Sequence, residues 1–435
     1  MMPTDWLPLL PWLLFALLGV FIILGVPIAM SLVLTSFSII VLDPRLIPWV
    51  MFQRMYYGMD SFVLLAVPLF LLAGNLMNAA RITDRLITLC LNLVGHVKGA
   101  LAHVNVLVSM LFAGVSGSST ADSAGIGTVL IPAMKREGYP AHFSVAVTAA
   151  SSVMGIIIPP SINMIVWGAL TSTSIAGLFL GGIIPGVLIA VAQLLLNLGY
   201  VRRYDVPTRK RATLRQLASS GKDGLLAAGI PVLIIGGITL GIVTPTEAAV
   251  MAVLYALLLG FIVYRELTFR SVLDASTDTV RLCSLSLFSL VGAAIFGYLI
   301  SFYRIPPQLM AGVEISDPTT LLIIATIVML LVGTFMDSLP AMAILAPIFQ
   351  PLAAQAGVDP LQFGVISVMA LGLGLITPPY GLCLMISAKI GGIPLLAALG
   401  TTMIYLLVML LVIGLLIAFP DLILYLPQTF GPDAG

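Results

Sequence analysis

Ser118, Ser119, Thr120 and Asp122 place three hydroxyls and a carboxylate within five residues of a largely apolar stretch, 114–163, whose charged connector is Lys135-Arg136-Glu137. Hard oxygen donors are what a small hard cation takes as ligands. Gly114, Gly117 and the pair Pro159-Pro160 interrupt the same stretch. Proline removes an N–H and disfavours helical geometry in the residue before it, so a helix entering Pro159-Pro160 should unwind there. Unwound backbone adds carbonyl oxygens without adding fixed charge. Inside hydrocarbon such breaks persist only where protein or a wet cavity surrounds them. The breaks at 116–120 and 155–161 therefore predict a polar site within a bilayer.

The second half of the chain repeats the pattern. Asp122-Ser123 and Pro132 recur as Asp337-Ser338 and Pro347, 215 residues on, and Pro159-Pro160 recurs as Pro378-Pro379, 219 residues on. Three landmarks in the same order argue for an internal repeat. Paired, Gly/Pro-interrupted apolar segments mark the binding site of a secondary transporter. Two related sodium sites are expected. One combines Ser118, Ser119 and Thr120 with the break from Gly155 to Pro159; the other combines Gly333, Thr334 and Met336 with Gly374 to Thr377. Ser161, Asn163, Pro379 and Gly381, beside the proline pairs, are the candidate substrate contacts. Pro160 and Pro378 shape the breaks. Asp122 and Asp337 either tune the ion sites or cap the returning half-helices, since Asp suits a helix N-terminus. The competing explanation is that these small residues only let helices pack closely.

The elements that must position this site follow from composition. The chain has 435 residues, 60% of them hydrophobic and 9% charged. Soluble domains carry about 25% charged residues, so the chain reads as an all-α polytopic membrane protein of about a dozen membrane segments. A net charge of +1 offers nothing to nucleic acid. Cys90, Cys283 and Cys383 are too scattered for a disulfide framework, and His96, His103 and His142 lack metal-ligand spacing. No cofactor is expected. The apolar run 7–42 is too long for a signal peptide and reads as two spans meeting near Gly25-Val26-Pro27.

In order, residues 1–60 hold N-terminal scaffold spans and an interfacial helix at 49–62 rich in Trp and Tyr. Residues 61–200 form the first repeat, with a re-entrant hairpin at about 101–135 and a broken helix at about 142–170. Residues 201–223 carry seven Lys/Arg against two Asp and read as a cytoplasmic loop. Scaffold spans at 224–275 follow. Residues 276–420 form the second repeat, with a hairpin at about 321–351 and a broken helix at about 361–390, and 421–435 are a tail.

Five stretches carry a family resemblance: residues 66–78 (AVPLFLLAGNLMN), 112–134 (FAGVSGSSTADSAGIGTVLIPAM), 241–249 (GIVTPTEAA), 333–348 (GTFMDSLPAMAILAPI) and 372–381 (GLGLITPPYG). The chain resembles the large membrane subunit of tripartite ATP-independent periplasmic (TRAP) transporters over nearly its full length. The resemblance implies a bacterial inner-membrane location and a small four-span membrane subunit as partner, here a separate protein. It also implies a periplasmic solute-binding protein that delivers an organic acid, such as a C4-dicarboxylate or sialic acid, with uptake driven by sodium. The fold it implies is an inverted repeat with scaffold and transport domains working as an elevator. Tyr380 departs from the family, which often has a small aliphatic residue there, and bears on the shape of the substrate pocket.

Other classes explain less. Gly114-Val115-Ser116-Gly117 matches the GxSG of rhomboid-type proteases, but the only later histidine is His142, just behind a loop. A channel leaves the duplicated breaks unexplained, and no Walker motif is present. The alternative within transporters is a stand-alone sodium–dicarboxylate symporter, which gene neighbourhood would distinguish.

Overall fold

A computed structural model describes residues 7, 9–202, 206, 208, 210–310 and 317–431. Among these the chain forms helices throughout. The N-terminal part comprises α1 (Leu10–Ile23), α2 (Ile28–Leu42), α3 (Trp49–Met59), α4 (Ala66–Ala79) and α5 (Ile82–Val94). Then come α6 (Ala100–Ser116), α7 (Ser119–Arg136), α8 (Ala141–Ser152), α9 (Ile162–Thr171) and α10 (Ile175–Val201). After the basic segment follow α11 (Leu214–Thr239), α12 (Pro245–Leu258), α13 (Phe269–Phe302) and the short α14 (Ile305–Met310). The C-terminal part holds α15 (Pro318–Gly333), α16 (Ser338–Gln355), α17 (Pro360–Gly374), α18 (Leu382–Gly391), α19 (Leu395–Ala418) and α20 (Asp421–Phe430).

Five described helices are long and apolar enough to cross a membrane by themselves: Phe62–Ala79, Ile175–Val201, Pro245–Val263, Phe269–Phe302 and Leu395–Ala418. The bent pair Leu214–Lys222 and Gly224–Thr239 adds a sixth if counted as one span. The rest of the apolar segments are shorter, stopping after 10–17 residues, as α6, α9, α15, α17 and α18 do. A helix rises 1.5 Å per residue, so such pieces fall short of the roughly 30 Å hydrocarbon core. They are joined in pairs across breaks instead.

The breaks have local causes. α6 ends at Gly117, whose φ of 63° is a left-handed conformation that glycine adopts without a Cβ clash. α8 passes through a 3-10 turn, Val153–Ile156, and the chain then runs into Pro159-Pro160. α17 ends before Pro378-Pro379, and both proline pairs are cis.

α13 is the longest described element, 34 residues and so about 51 Å, and α2, α3, α4 and α16 pack along it. α3 and α4 run antiparallel to it. Gly58 packs against Ala294, the Arg54 guanidinium sits 4.5 Å over the Tyr298 ring, and the Asn75 amide donates to Thr279 Oγ1 at 2.9 Å. The stretch read as interfacial is thus packed lengthwise on α13, with Trp49, Phe52, Tyr56 and Tyr57 left exposed. The basic segment is shorter than a 201–223 loop. α11 starts at Leu214 behind a Thr213–Gln216 capping box, which takes Arg215 and Lys222 into helix. Arg203, Asp205 and Arg209 lie outside the described residues. The stretch read as a tail contains α20, which packs on α10.

Candidate transport site

Helix ends and two unwound segments meet at the proline breaks. At the α6–α7 turn, Ser118 is the N-cap of α7 and its hydroxyl accepts from the Ala121 N–H at 3.4 Å. Its hydroxyl also lies 3.0 Å from Thr120 Oγ1. The Ile162 N–H, just past Pro159-Pro160, donates to the Gly117 carbonyl at 3.2 Å. In the other half, the Tyr380 N–H, just past Pro378-Pro379, donates to the Thr334 carbonyl at 2.8 Å. Each proline break is thereby bonded to the turn of a neighbouring helix pair.

The first set of candidate sodium ligands comes together. A Cβ built on Gly155 would stand 2.7 Å from Asp122 Oδ2 and 2.9 Å from both Ser118 C and Ser119 N, so the two segments touch through bare backbone. Ser119 donates to the Val153 carbonyl at 3.4 Å. Asp122 is fully buried, and Ser116 donates to its Oδ1. Its Oδ2 has no hydrogen-bond partner among the described residues. A buried, unpaired carboxylate oxygen is costly, and the site fits a small cation whose charge would offset that cost. Pro159 is not in this contact; its carbonyl lies toward Gly114.

The second set also comes together, through Gly333 and Gly374. A Cβ on Gly374 would lie 2.3 Å from Gly333 C, so this crossing is closed to any other residue. Thr334 and Thr377 spend their hydroxyls on helix carbonyls, of Leu331 at 2.7 Å and Leu373 at 2.9 Å. Met336 is buried beside them in sequence. These residues offer carbonyl oxygens at the crossing more than free side-chain donors.

The two carboxylates are not equivalent. Asp337 is the N-cap of α16 and accepts from the Ser338 N–H at 2.7 Å. Asp122 lies within the first turn of α7, where Ser118 holds the cap position. Capping explains the second aspartate and leaves the first without that role.

A cavity of about 470 Å³ lies against the turns. Gly117, Ser118, Ser119, Thr120, Asn163, Asp337, Ser338 and Tyr380 line it from one side, and Ser286 and Ser289 of α13 from the other. The Asn163 amide donates to Ser338 Oγ at 2.8 Å across the two halves of the chain. The first residues of α2, α7, α9, α16 and α18 (Ile28, Ser119, Ile162, Ser338 and Leu382) all line this cavity. Five helix N-termini thus line one space with the positive ends of their dipoles; Asp122 and Asp337 offset those of α7 and α16, leaving α2, α9 and α18 without a carboxylate.

Of the four candidate substrate contacts, only Asn163 reaches the wall. Ser161 is buried as the N-cap of α9, donating to the Ile156 carbonyl and accepting from the Met164 N–H. Gly381, at φ 48°, is packed against the Thr377 carbonyl, and Pro379 is exposed away from the lining. Pro160 and Pro378 complete the two cis pairs. Sequence reading missed Pro27–Ala29, Ser286 and Ser289, since nothing in α1, α2 or α13 signals proximity to the breaks. Ser338 was legible as the partner of Ser123 in the repeat. Ser116 faces Asp122, an arrangement unlike the serine–histidine pair of a protease.

Residues 15–422 match the family described as "Tripartite ATP-independent periplasmic transporter, DctM component". The chain is 36% identical over 409 residues to the sialic acid TRAP transporter large permease protein SiaM of Vibrio cholerae, covering 93% of this chain and 96% of that one. It is 34% identical over 380 residues to the C4-dicarboxylate TRAP transporter large permease protein DctM of Pseudomonas aeruginosa, covering 87% and 89%. The crystal structure of the YdaH transporter of Alcanivorax borkumensis shares the fold, with a TM-score of 0.60 at 17% identity over 87% of this chain and 90% of that one. The chain belongs to the DctM component family of tripartite ATP-independent periplasmic transporters, as a multi-pass permease of the bacterial inner membrane.

Proposed function

We propose that this chain is the large permease subunit of a sodium-coupled tripartite system that takes up a small organic acid, with a carboxylate bound in the cavity between the two halves. The observation that carries the reading is the convergence of the N-termini of α2, α7, α9, α16 and α18 on that cavity. An anion is the ligand such an arrangement favours. A volume of about 470 Å³ suits a small-molecule substrate. Asn163 and Ser338 supply polar contacts for its hydroxyl or carboxyl oxygens, and Tyr380 trims the space beside them. Relatives named for sialic acid and C4-dicarboxylates support a carboxylic acid as the substrate.

Sodium coupling rests on Asp122 and Gly155. Asp122 Oδ2, with the carbonyls and hydroxyls at Ser118, Ser119 and Val153, would hold one ion. The carbonyls at the Gly333–Gly374 crossing would hold a second. Each ion would stiffen a turn whose helix N-terminus faces the substrate, so ion binding would favour substrate binding.

The architecture we propose is an inverted repeat. The pairs α6–α7 and α15–α16 act as re-entrant hairpins entering from opposite faces, and α8–α9 and α17–α18 act as broken helices. α2, α3, α4, α11, α12 and α13 form the scaffold, against which the hairpins and broken helices move as an elevator. The basic 201–223 segment, with Arg265 and Arg270, sits on the cytoplasmic side by the positive-inside rule. A four-span subunit and a periplasmic solute-binding protein complete the system, and the lipid bilayer surrounds it.

The test is uptake by proteoliposomes holding this chain and its small subunit, with binding protein outside. Uptake of a labelled carboxylate should require an inward sodium gradient and the binding protein. Uptake driven equally well without the binding protein would favour a stand-alone symporter, and uptake driven by a proton gradient alone would overturn sodium coupling.

A further inference from the structure

The cavity at the helix N-termini adjoins a second, larger one of about 690 Å³. The two have three lining residues in common: Thr120 of α7, Leu282 of α13 and Ile386 of α18. The lining changes in character across those residues. On the inner side are the helix N-termini, Asn163 and Ser338; on the outer side are Asn75, Asn78, Arg81, Asp84, Asp278 and Arg281.

The outer chamber carries both signs of charge and binds neither tightly. Arg281 and Asp278 approach only to 3.9 Å, with side chains 77% and 65% exposed. Arg81 reaches Glu266 only at 3.9 Å and is 70% exposed. Charges this open are solvated, so the chamber is a wet vestibule. It lies where the first turn of α5 meets the connection between α12 and α13, through Arg81 and Glu266. That connection and the start of α13 carry Arg265 and Arg270, which under the function proposed above face the cytoplasm.

We propose that Leu282 and Ile386 form an apolar neck that governs passage of the transported acid between its binding cavity and the cytoplasmic vestibule. Leu282 is 49% exposed, so it fronts open space on α13. Ile386 belongs to α18, whose first residue lies on the binding cavity. The neck therefore has one wall on each side of the cleft, and relative movement of α18 and α13 changes its width. Apolar constrictions gate polar solutes by excluding water as much as by size. Thr120, the third shared residue, is the one polar group in the neck.

The inference rests on the inner cavity being the substrate site, and the test separates the two claims. Ser286→Cys reports on the inner chamber and Thr128→Cys on the vestibule, since each lines only one of them. The native cysteines Cys90, Cys283 and Cys383 are buried, so the otherwise unaltered chain sets the blank. A membrane-impermeant, positively charged thiol reagent is applied to purified protein in nanodiscs. Adding Leu282→Trp should slow labelling at position 286 by about tenfold or more while leaving position 128 unchanged, and Leu282→Ala or Ile386→Ala should speed labelling at 286. Unchanged labelling at 286 in all three variants would overturn the neck, as would protection of position 128 by Leu282→Trp. Melting temperature in rising NaCl, measured on the same proteins, reports on the ion sites alone. No sodium-dependent rise in the unaltered chain would sink the sodium coupling proposed above without touching the neck.

Discussion

Asp122 Oδ2 and Gly155 are in direct contact, and the contact exists only because position 155 has no side chain. A methyl group there would stand 2.7 Å from the carboxylate oxygen and 2.9 Å from the backbone of Ser118 and Ser119. Backbone on one side and a buried carboxylate on the other leave nothing flexible to yield. Gly155→Ala should lower the folding stability by about 1–3 kcal/mol through overpacking, read as a fall in melting temperature. Gly414→Ala, inside α19 with nothing within 4 Å, should hold it or raise it by up to about 1 kcal/mol. Equal behaviour of the two variants would show that the contact is loose.

Asp122→Asn keeps the shape of the side chain and removes its charge. Ser116 can still donate to the amide oxygen, so the fold should survive. The sodium concentration giving half the maximal thermal response should rise by roughly tenfold or more, as expected from losing a charged oxygen ligand worth about 1–3 kcal/mol. Asp337→Asn retains an acceptor for the Ser338 N–H and should shift that concentration much less. Titration of melting temperature with NaCl on both variants checks the asymmetry.

Asn163→Ala removes the amide that bonds Ser338 across the cavity at 2.8 Å. It should raise the KM for substrate in sodium-driven uptake by about tenfold, in line with one lost polar contact of roughly 1–2 kcal/mol. The thermal response to sodium should stay. An unchanged KM would move the substrate elsewhere in the cleft.

Asp43, at the end of α2, joins the end of α13. Arg45 Nη2 and the Tyr303 hydroxyl each donate to Oδ2 at 2.7 Å, and the Arg45 backbone N–H donates to Oδ1 at 2.9 Å. Burial alone would push this carboxyl up, but the Arg45 and Tyr303 donors outweigh it and hold it below the usual carboxylate range. A carboxylate with a depressed folded-state pKa stabilises above its unfolded value, near 3.9, and the contribution is lost as pH falls through the folded value. Asp43→Asn should therefore melt lower than wild type by a constant margin from about pH 8 to about pH 5. The margin should shrink only below about pH 4. Because Arg45 is 48% exposed, the effect belongs at the lower end of about 1–3 kcal/mol. A margin that varied between pH 8 and pH 5 would point to a different titrating group.

How far these features can be read from residue order depends on what sets them. Pro159-Pro160 and Pro378-Pro379 stop their helices by removing N–H donors, a local effect visible in the letters alone, and helices do stop beside both pairs. Gly117 likewise marks its turn through backbone conformation. The register of the turns is less legible. Asp122-Ser123 and Asp337-Ser338 align in sequence, yet α7 begins three residues before its aspartate and α16 one residue after. Which residue caps a helix is decided by competition among Ser118, Asp122 and neighbouring carbonyls, which spacing does not resolve. Pro27, Ser286 and Leu282 carry no chemical signal at all; they matter because α2 and α13 pass the hairpin turns in space. Ser161 looked available for substrate because its type fits, but its hydroxyl is taken by the Ile156 carbonyl.

The central claim is that sodium binds at the hairpin turns and holds them in a substrate-ready form. It is tested most directly by the melting temperature of the purified chain in rising NaCl against matched KCl and choline chloride. A ligand that binds only the folded state raises stability by RT ln(1 + [L]/Kd), about 2.7 kcal/mol at a hundredfold excess over Kd. The account predicts a saturable rise with sodium alone, weakened in Asp122→Asn. The same response to all three salts would contradict it.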